Sequence, residues 1–202
     1  MKKKERVKDP DKSGREQQNY LIRVKYGKLT DNLTNGINIS VPEATGAIAF
    51  YKKSHLIIKV KSRNGYLTFM MGKILINEKG TAGRFDTLWT FYVKNTTGFS
   101  RGQDIYYDAQ TDCLFIPQCN NANNVNKIMV GNLSGESETY KGNKLYTPQD
   151  IITVDKQKDY SKYEIESLVI APKRHIVMVA NIVPKGTKTA DDAVERISNL
   201  KF

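Results

Sequence analysis

Short apolar runs separated by polar turns recur along the chain, and the clearest unit covers residues 163–181. Two apolar runs, 165–170 and 176–180, flank a polar corner that contains Pro172. Strands of four to eight residues bounded by turn residues have this pattern, whereas helices need longer periodic segments. The unit is therefore predicted to be a β-hairpin.

The same outline occurs upstream, at residues 103–119. An alignment without gaps makes Asp104 equivalent to Glu166 and Tyr106 equivalent to Leu168. Each carboxylate then stands at or just before the first apolar strand of its unit. We interpret the two segments as repeats of one structural unit.

A looser third copy occupies residues 46–60, with Ala47 at the position of the two carboxylates. The spacing is 57 residues from Ala47 to Asp104 and 62 residues from Asp104 to Glu166. Repeated units of short antiparallel strands are typical of β-propellers, in which each blade buries its faces against its neighbours. We predict an all-β, propeller-like fold of about three blade-like antiparallel repeats, with a β-sandwich as the alternative. Propellers close with roughly four to eight blades, so the ring would be completed by a longer chain or by a homo-oligomer.

The two ends of the chain need separate interpretations. Residues 1–19 are polar and without period, which predicts a disordered basic leader before a single β-repeat domain at 20–202. The segment 189–197 begins with Thr189 as a candidate helix N-cap followed by acidic residues. Its place in the repeat matches a strand, and we favour the strand.

The charge of the chain is unevenly distributed. Lys and Arg outnumber Asp and Glu by 32 to 21, and residues 20–79 hold ten basic and three acidic side chains. Such a field attracts nucleic acid, anionic lipid or acidic cell-wall polymers, although lysines along strand edges also block aggregation. An alternative function is therefore nucleic-acid binding by basic residues of the N-terminal half: Arg23, Lys25, Lys52, Lys53, Lys59, Lys61 and Arg63.

Several classes of site are not indicated. Cys113 and Cys119 lie six residues apart on one predicted strand, too far for a disulfide, and with His55 and His175 they lack zinc-ligand spacing. No phosphate-binding loop or nucleophile elbow is present. We expect no metal and no cofactor.

Membrane insertion and secretion are not indicated either. No stretch approaches the roughly 20 apolar residues of a membrane span, and the charged start lacks the apolar core of a signal peptide. We expect a soluble chain without a secretion signal, which is cytoplasmic as written.

Two carboxylates are the sharpest candidates for chemistry. In a propeller, Asp104 and Glu166 on first strands would face the central channel and could bind a basic or hydroxylated ligand. They could instead accept hydrogen bonds from backbone donors at blade corners. A third hypothesis makes the same pair the catalytic groups of a carboxylate-dependent hydrolase.

Amides and aromatic rings suggest a different ligand chemistry. Asn120 opens an amide-rich loop, and Asn181 lies at the matching exit of the last repeat. Amides both donate and accept hydrogen bonds, as sugar hydroxyls do, and Tyr106 and Trp89 could supply stacking faces. These residues, with Asp104 and Glu166, form the predicted ligand-binding set.

The repeat ends resemble a known group of proteins. Residues 164–168, 176–180 and 192–197 are similar to the last blade of bacterial propeller proteins, including the helveticin-like bacteriocins. Residues 102–108 and 127–130 look like the blade before it. The resemblance implies a longer bacterial protein that acts outside cells by binding, and it supplies no catalytic residues. The leading hypothesis is a non-catalytic binding module for cell-envelope glycans or a protein partner.

Overall fold

The structure, a computed structural model, describes most of the chain. The described residues are 19–23, 37–41, 45–52, 54–63, 65–99, 102, 104–120, 125–154, 159–171 and 175–197. Within these ranges the regular structure consists of strands alone. The predicted leader lies outside the described residues, apart from Asn19.

Fifteen strands are formed by the described residues. They are β1 (Asn19–Arg23), β2 (Ile37–Val41), β3 (Thr45–Tyr51), β4 (His55–Arg63), β5 (Tyr66–Ile76), β6 (Ala82–Lys94), β7 (Tyr106–Asp108), β8 (Cys113–Asn120), β9 (Val125–Asn132), β10 (Ser137–Tyr140), β11 (Asn143–Tyr146), β12 (Asp150–Val154), β13 (Tyr160–Ala171), β14 (His175–Pro184) and β15 (Asp191–Ile197). The prediction of an all-β chain is confirmed, and so is the strand at the C-terminal end.

The strands form three sheets, none of which closes on itself. The first sheet has the order β1-β2-β6-β5-β4-β3, and it also includes the β10–β11 hairpin through pairing of β11 with β6. The second sheet has the order β12-β9-β8-β7, and the third has the order β13-β14-β15. Most neighbours along the chain pair as antiparallel hairpins, as short strands with tight turns should.

The sheets bury their apolar residues against one another. Ile57 and Phe91 of the first sheet pack in one cluster with Leu114 of the second. Phe115, the next residue of β8, packs on the opposite side with Ile176 of the third sheet. Because side chains alternate along a strand, a sheet covered on both faces needs strands that are apolar throughout.

The first and third hairpins match residue for residue. In β3–β4 the last pair is Tyr51 with His55, and in β13–β14 it is Ala171 with His175, with three residues between the partners in both. Each first strand also carries one extra residue at the same distance from the turn, which forms a β-bulge at Gly46 or Glu166. The two hairpins are therefore equivalent with a constant offset of 120 residues.

The middle hairpin differs by one residue. Its last pair is Asp108 with Cys113, so four residues rather than three form the turn. The alignment without gaps between residues 103–119 and 163–181 is therefore wrong by one residue in the first strand of the hairpin. Tyr106 and Leu168, which it made equivalent, lie on opposite faces of their sheets and meet in the cluster between the second and third sheets. The extra turn residue leaves no mark in the hydrophobic pattern, because it falls in a polar segment.

The two cysteines and the lengths of the elements bear on the expectations about disulfides and membrane spans. Cys113 and Cys119 are not joined by a disulfide, as their spacing predicted, and both are buried. No helix within the described ranges has the length and apolar character needed to cross a membrane.

Candidate functional site

An aromatic pocket of about 450 Å³ lies between the first sheet and the β10–β11 hairpin. We call it the aromatic pocket, and its walls are formed by Tyr51, Met71, Trp89, Thr90, Phe91, Leu133, Gly142, Asn143, Lys144 and Tyr146. Trp89 is the only predicted ligand-binding residue that lines it.

The β10–β11 hairpin makes one wall of the aromatic pocket. It leaves the second sheet between β9 and β12, and residues 144–146 of β11 pair in parallel with residues 91–93 of β6. Lys141 and Gly142 form its two-residue turn with φ of 50° and 74°. Positive φ at both positions defines a type I′ turn, which matches the twist of paired strands. The Lys-Gly dipeptide between short strand-like runs was the signal that sequence reasoning missed.

Aromatic contacts hold this hairpin on the first sheet. The ring of Tyr140 lies 4.5 Å from Tyr66 and 5.0 Å from Tyr92, between ring centroids. An ion pair between Lys94 and Glu138 adds a polar contact at the same edge. The wall of the pocket is therefore fixed before any ligand arrives, which reduces the ordering cost of binding.

A β-bulge in β6 lies directly beside Trp89. Met71 pairs with Trp89 but Gly72 pairs with Thr87, so Leu88 is an extra residue in β6. Gly72 is required here, because a Cβ atom would lie 2.2 Å from the backbone oxygen of Asp86. Trp89 is 46% exposed, although Phe91, two residues farther along the same face of β6, is 2% exposed.

The opposite side of the pocket is joined to the second sheet. The ring of Tyr51 packs 4.6 Å from that of Tyr107, whose hydroxyl donates to Asp112. Burial, followed by the bond to Asp112, raises the pKa of Tyr107 above its ordinary value. Lys52 Nζ lies 3.5 Å from Asp112 and 4.9 Å from the centre of the Tyr51 ring. Tyr51 is thus held between two neighbouring turns.

A second group of polar residues is buried where the three sheets meet, and we call it the polar cluster. Lys59 Nζ donates to the Gly102 carbonyl at 2.8 Å, and Cys119 Sγ donates to Glu164 at 3.3 Å. Asn126 donates to the Tyr163 carbonyl at 2.9 Å and is fully buried. The bonds of Cys119 and Asn126 connect β8 and β9 to β13, and the bond of Lys59 connects β4 to the segment before β7, so the cluster helps to fix the relative position of the sheets.

Asp104 belongs to the polar cluster and takes the backbone-accepting role considered for it. Its Oδ2 atom accepts a hydrogen bond from the Leu168 amide at 3.0 Å. Burial raises the pKa of Asp104, while the bonds from Leu168 and Ile105 oppose that rise. Glu166 is the bulged residue of β13, two positions before Leu168. The two carboxylates therefore occupy different positions in their hairpins.

The remaining predicted ligand residues are not brought together with Trp89. Tyr106 is half-buried, with its ring centre 6.5 Å from that of Phe115. Asn181 accepts a hydrogen bond from Lys162 Nζ at 3.3 Å. Asn120 is the last residue of β8 and pairs with Val125, and the amide-rich segment after it lies outside the described residues.

The basic residues proposed for nucleic acid are only partly described. Lys52 is exposed, whereas Lys59 is 7% exposed and bonded within the polar cluster. Burial lowers the pKa of Lys59 to about 8. Lys25 and Lys53 lie outside the described residues. The other three have described strand positions only: Arg23 in β1, and Lys61 and Arg63 in β4.

Neither metal coordination nor comparison with other proteins assigns an activity. Among the described residues, no group of three or more His, Cys, Asp or Glu side chains could hold a metal ion. No protein-family model, no curated protein and no solved structure matches the chain. The aromatic pocket is therefore the feature of the molecule that points to a function.

The depressed pKa of Lys59 predicts a pH dependence of stability. The folded chain releases the Lys59 proton near pH 8, and the unfolded chain releases it near the ordinary value of 10.5. Between these values the unfolded state binds more protons, so the free energy of unfolding rises with pH, by at most about 1.4 kcal/mol per pH unit. Urea unfolding between pH 8 and 9.5 should show this rise in the natural chain and a smaller one in Lys59→Met.

Lys79→Met, which changes an exposed turn residue, is the matched control and should keep the slope of the natural chain. Equal slopes for Lys59→Met and the natural chain would contradict the assignment of the buried ammonium.

Proposed function

We propose that the protein is a non-catalytic binding module that holds a glycan in the aromatic pocket. The observation that carries this proposal is the half-exposed ring of Trp89, which lines the same pocket as the Asn143 side chain. The alternative functions, nucleic-acid binding and carboxylate-dependent hydrolysis, have no comparable arrangement among the described residues and stay predictions.

The chemistry of the walls suits a saccharide. The face of a sugar ring carries C–H groups that pack on an aromatic ring, and Trp89 and Tyr51 offer such rings. Sugar hydroxyls both donate and accept hydrogen bonds, as an asparagine amide does with its two N–H groups and its oxygen. Asn143 Nδ2 donates one bond to the Lys141 carbonyl at 3.0 Å, and its second N–H and its Oδ1 atom would serve the ligand. A volume of about 450 Å³ falls within the range of small-molecule sites.

The source of the glycan follows from the resemblance to helveticin-like bacteriocins and other bacterial propeller proteins. Proteins of that kind act outside cells, which favours a polysaccharide of the bacterial cell envelope over an intracellular sugar. A protein partner that carries such a glycan would meet the same requirement.

We also propose that the three sheets are propeller-like blades and that a second copy covers the third sheet. By the constant offset of 120 residues, Val169 and Val177 are equivalent to Ala49 and Ile57, which the first sheet buries against the second. Val169 is 43% exposed, and Val194, on the same face across β14, is 74% exposed. The outward face of the third sheet is therefore built like an interface.

The covered outward face of the first sheet favours a dimer over a closed ring. Its outward face is already covered, because Ile58 is fully buried in a cluster with Val41 and Phe85. Ring closure by a second copy would need that face to be free. Two copies that meet through their third sheets leave the first sheets as covered ends.

Removal of the Trp89 ring should abolish most glycan binding. We expect Trp89→Ala to lower affinity for cell-envelope oligosaccharides at least tenfold, because burial of a large apolar side chain contributes about 1.5–3 kcal/mol. Trp89→Phe should retain part of the affinity. Titration calorimetry with oligosaccharides first selected on a glycan array measures both.

Leu75→Ala is the control, since Leu75 is an exposed apolar residue of the first sheet outside the aromatic pocket. The proposal fails if the natural chain binds no glycan on the array, or if Trp89→Ala binds as tightly as Leu75→Ala.

The dimer predicts a concentration-dependent mass. Sedimentation equilibrium should show a shift from one chain of 22.9 kDa toward two as concentration rises, because a three-stranded sheet is a small interface. Val177→Lys and Val194→Lys should remain monomeric, and Leu75→Lys should still dimerise. A natural chain that stays monomeric at high concentration contradicts the dimer and leaves the glycan proposal intact.

A further inference from the structure

We propose that the glycan bound in the aromatic pocket is anionic and that Lys144 binds its carboxylate or phosphate group. This inference rests on the proposed glycan site and specifies its ligand. Of the described residues that line the pocket, Lys144 alone is charged, and it is exposed. A neutral sugar needs no such charge, whereas an acidic sugar gains a partner from it.

The position of Lys144 is set by the hairpin. It pairs with Phe91 as the first member of the parallel ladder between β11 and β6. Its Nζ atom lies 6.0 Å from the centre of the Tyr146 ring, which is itself a wall of the pocket. The hydroxyl of Tyr146 donates to the Leu133 carbonyl at 3.0 Å, which fixes the ring. The ammonium group is thereby kept beside the cavity, because a cation is attracted to an aromatic face.

The described carboxylates near the pocket do not form an ion pair with Lys144, so its ammonium group can bind a ligand. Lys52, next to the pocket residue Tyr51, is offset by Asp112 at 3.5 Å. No carboxylate in the described part of the chain lies within ion-pair distance of Lys144 Nζ. Among the described residues that line the pocket none is acidic, so Lys144 makes the local field positive where the ligand would lie.

The ligand class follows from these contacts. The Trp89 ring takes the apolar face of a sugar, the Asn143 amide takes hydroxyls, and the Lys144 ammonium takes one anionic group. A lysine binds either a carboxylate or a phosphate as a point charge. Acidic polysaccharides supply the first and polyol-phosphate polymers the second.

The test compares matched neutral and charged ligands on the natural chain and on lysine variants. Titration calorimetry is carried out with oligogalacturonate, its methyl ester, a glycerol-phosphate oligomer and neutral dextran oligomers. We expect Lys144→Gln to lower affinity for the charged ligands about tenfold, the size of one charged hydrogen bond, and to leave affinity for the neutral ones unchanged. Lys144→Arg should retain the preference, and the exposed control Lys79→Gln should behave as the natural chain.

Salt gives a second readout that separates charge from shape. Affinity for charged ligands should fall between about 50 and 300 mM salt, and this slope should flatten in Lys144→Gln. Tighter binding of oligogalacturonate than of the phosphate oligomer identifies a carboxylate ligand, and the reverse identifies a phosphate. The inference is overturned if the natural chain prefers neutral ligands, or if Lys144→Gln keeps the full preference. In either case, loss of all binding in Trp89→Ala would still support the glycan site.

Discussion

The parallel pairing of β11 with β6 is the interaction on which the candidate site depends. Residues 144–146 reach across from the segment between two strands of the second sheet and join the edge of β6 in the first. This ladder places the β10–β11 hairpin against β6 and brings Asn143 and Lys144 into the pocket that Trp89 also lines. The tyrosine contacts of Tyr140 hold the same hairpin from its other strand.

The polar cluster and the aromatic pocket have different roles in the molecule. The polar cluster lies where the sheets meet and satisfies buried groups with bonds between them, such as those of Lys59 and Asn126. The aromatic pocket lies apart from it, between the first sheet and the β10–β11 hairpin, where Trp89 is half-exposed. Buried polar bonds of this kind specify one arrangement of the sheets, because any other arrangement would leave the groups unpaired. A fixed arrangement is what a preformed pocket requires.

Hydrophobic alternation was sufficient to predict an all-β chain and the three repeated hairpins, but it did not predict the β10–β11 hairpin. It predicted the 163–181 hairpin, and the place of residues 189–197 in the repeat predicted the strand after it. The structure has β13, β14 and β15 there. It could not fix the register of the middle repeat, because the extra residue of the turn before Cys113 lies among polar residues. A shift of one residue exchanges the two faces of a strand, and it made Tyr106 and Leu168 look equivalent.

The site was less predictable than the fold. Trp89 stood out as the only tryptophan, but its partners Asn143 and Lys144 are 54 and 55 residues away and their strand is short. Their meeting depends on pairing between strands that the chain order does not indicate. Lys59 looked like a surface charge because its pattern is that of any strand lysine, and only the tertiary structure buries it.

If a glycan lies against Trp89, its binding should change the fluorescence of Trp89. The signal can be assigned to this residue because the chain has no other tryptophan. Binding of an acidic oligosaccharide should shift the emission to shorter wavelength and protect it from acrylamide quenching, since the ligand replaces water on the half-exposed ring. The change should saturate at the dissociation constant measured by calorimetry. If a glycan binds by calorimetry but leaves both the emission and the quenching of Trp89 unchanged, it does not lie against Trp89 in the aromatic pocket.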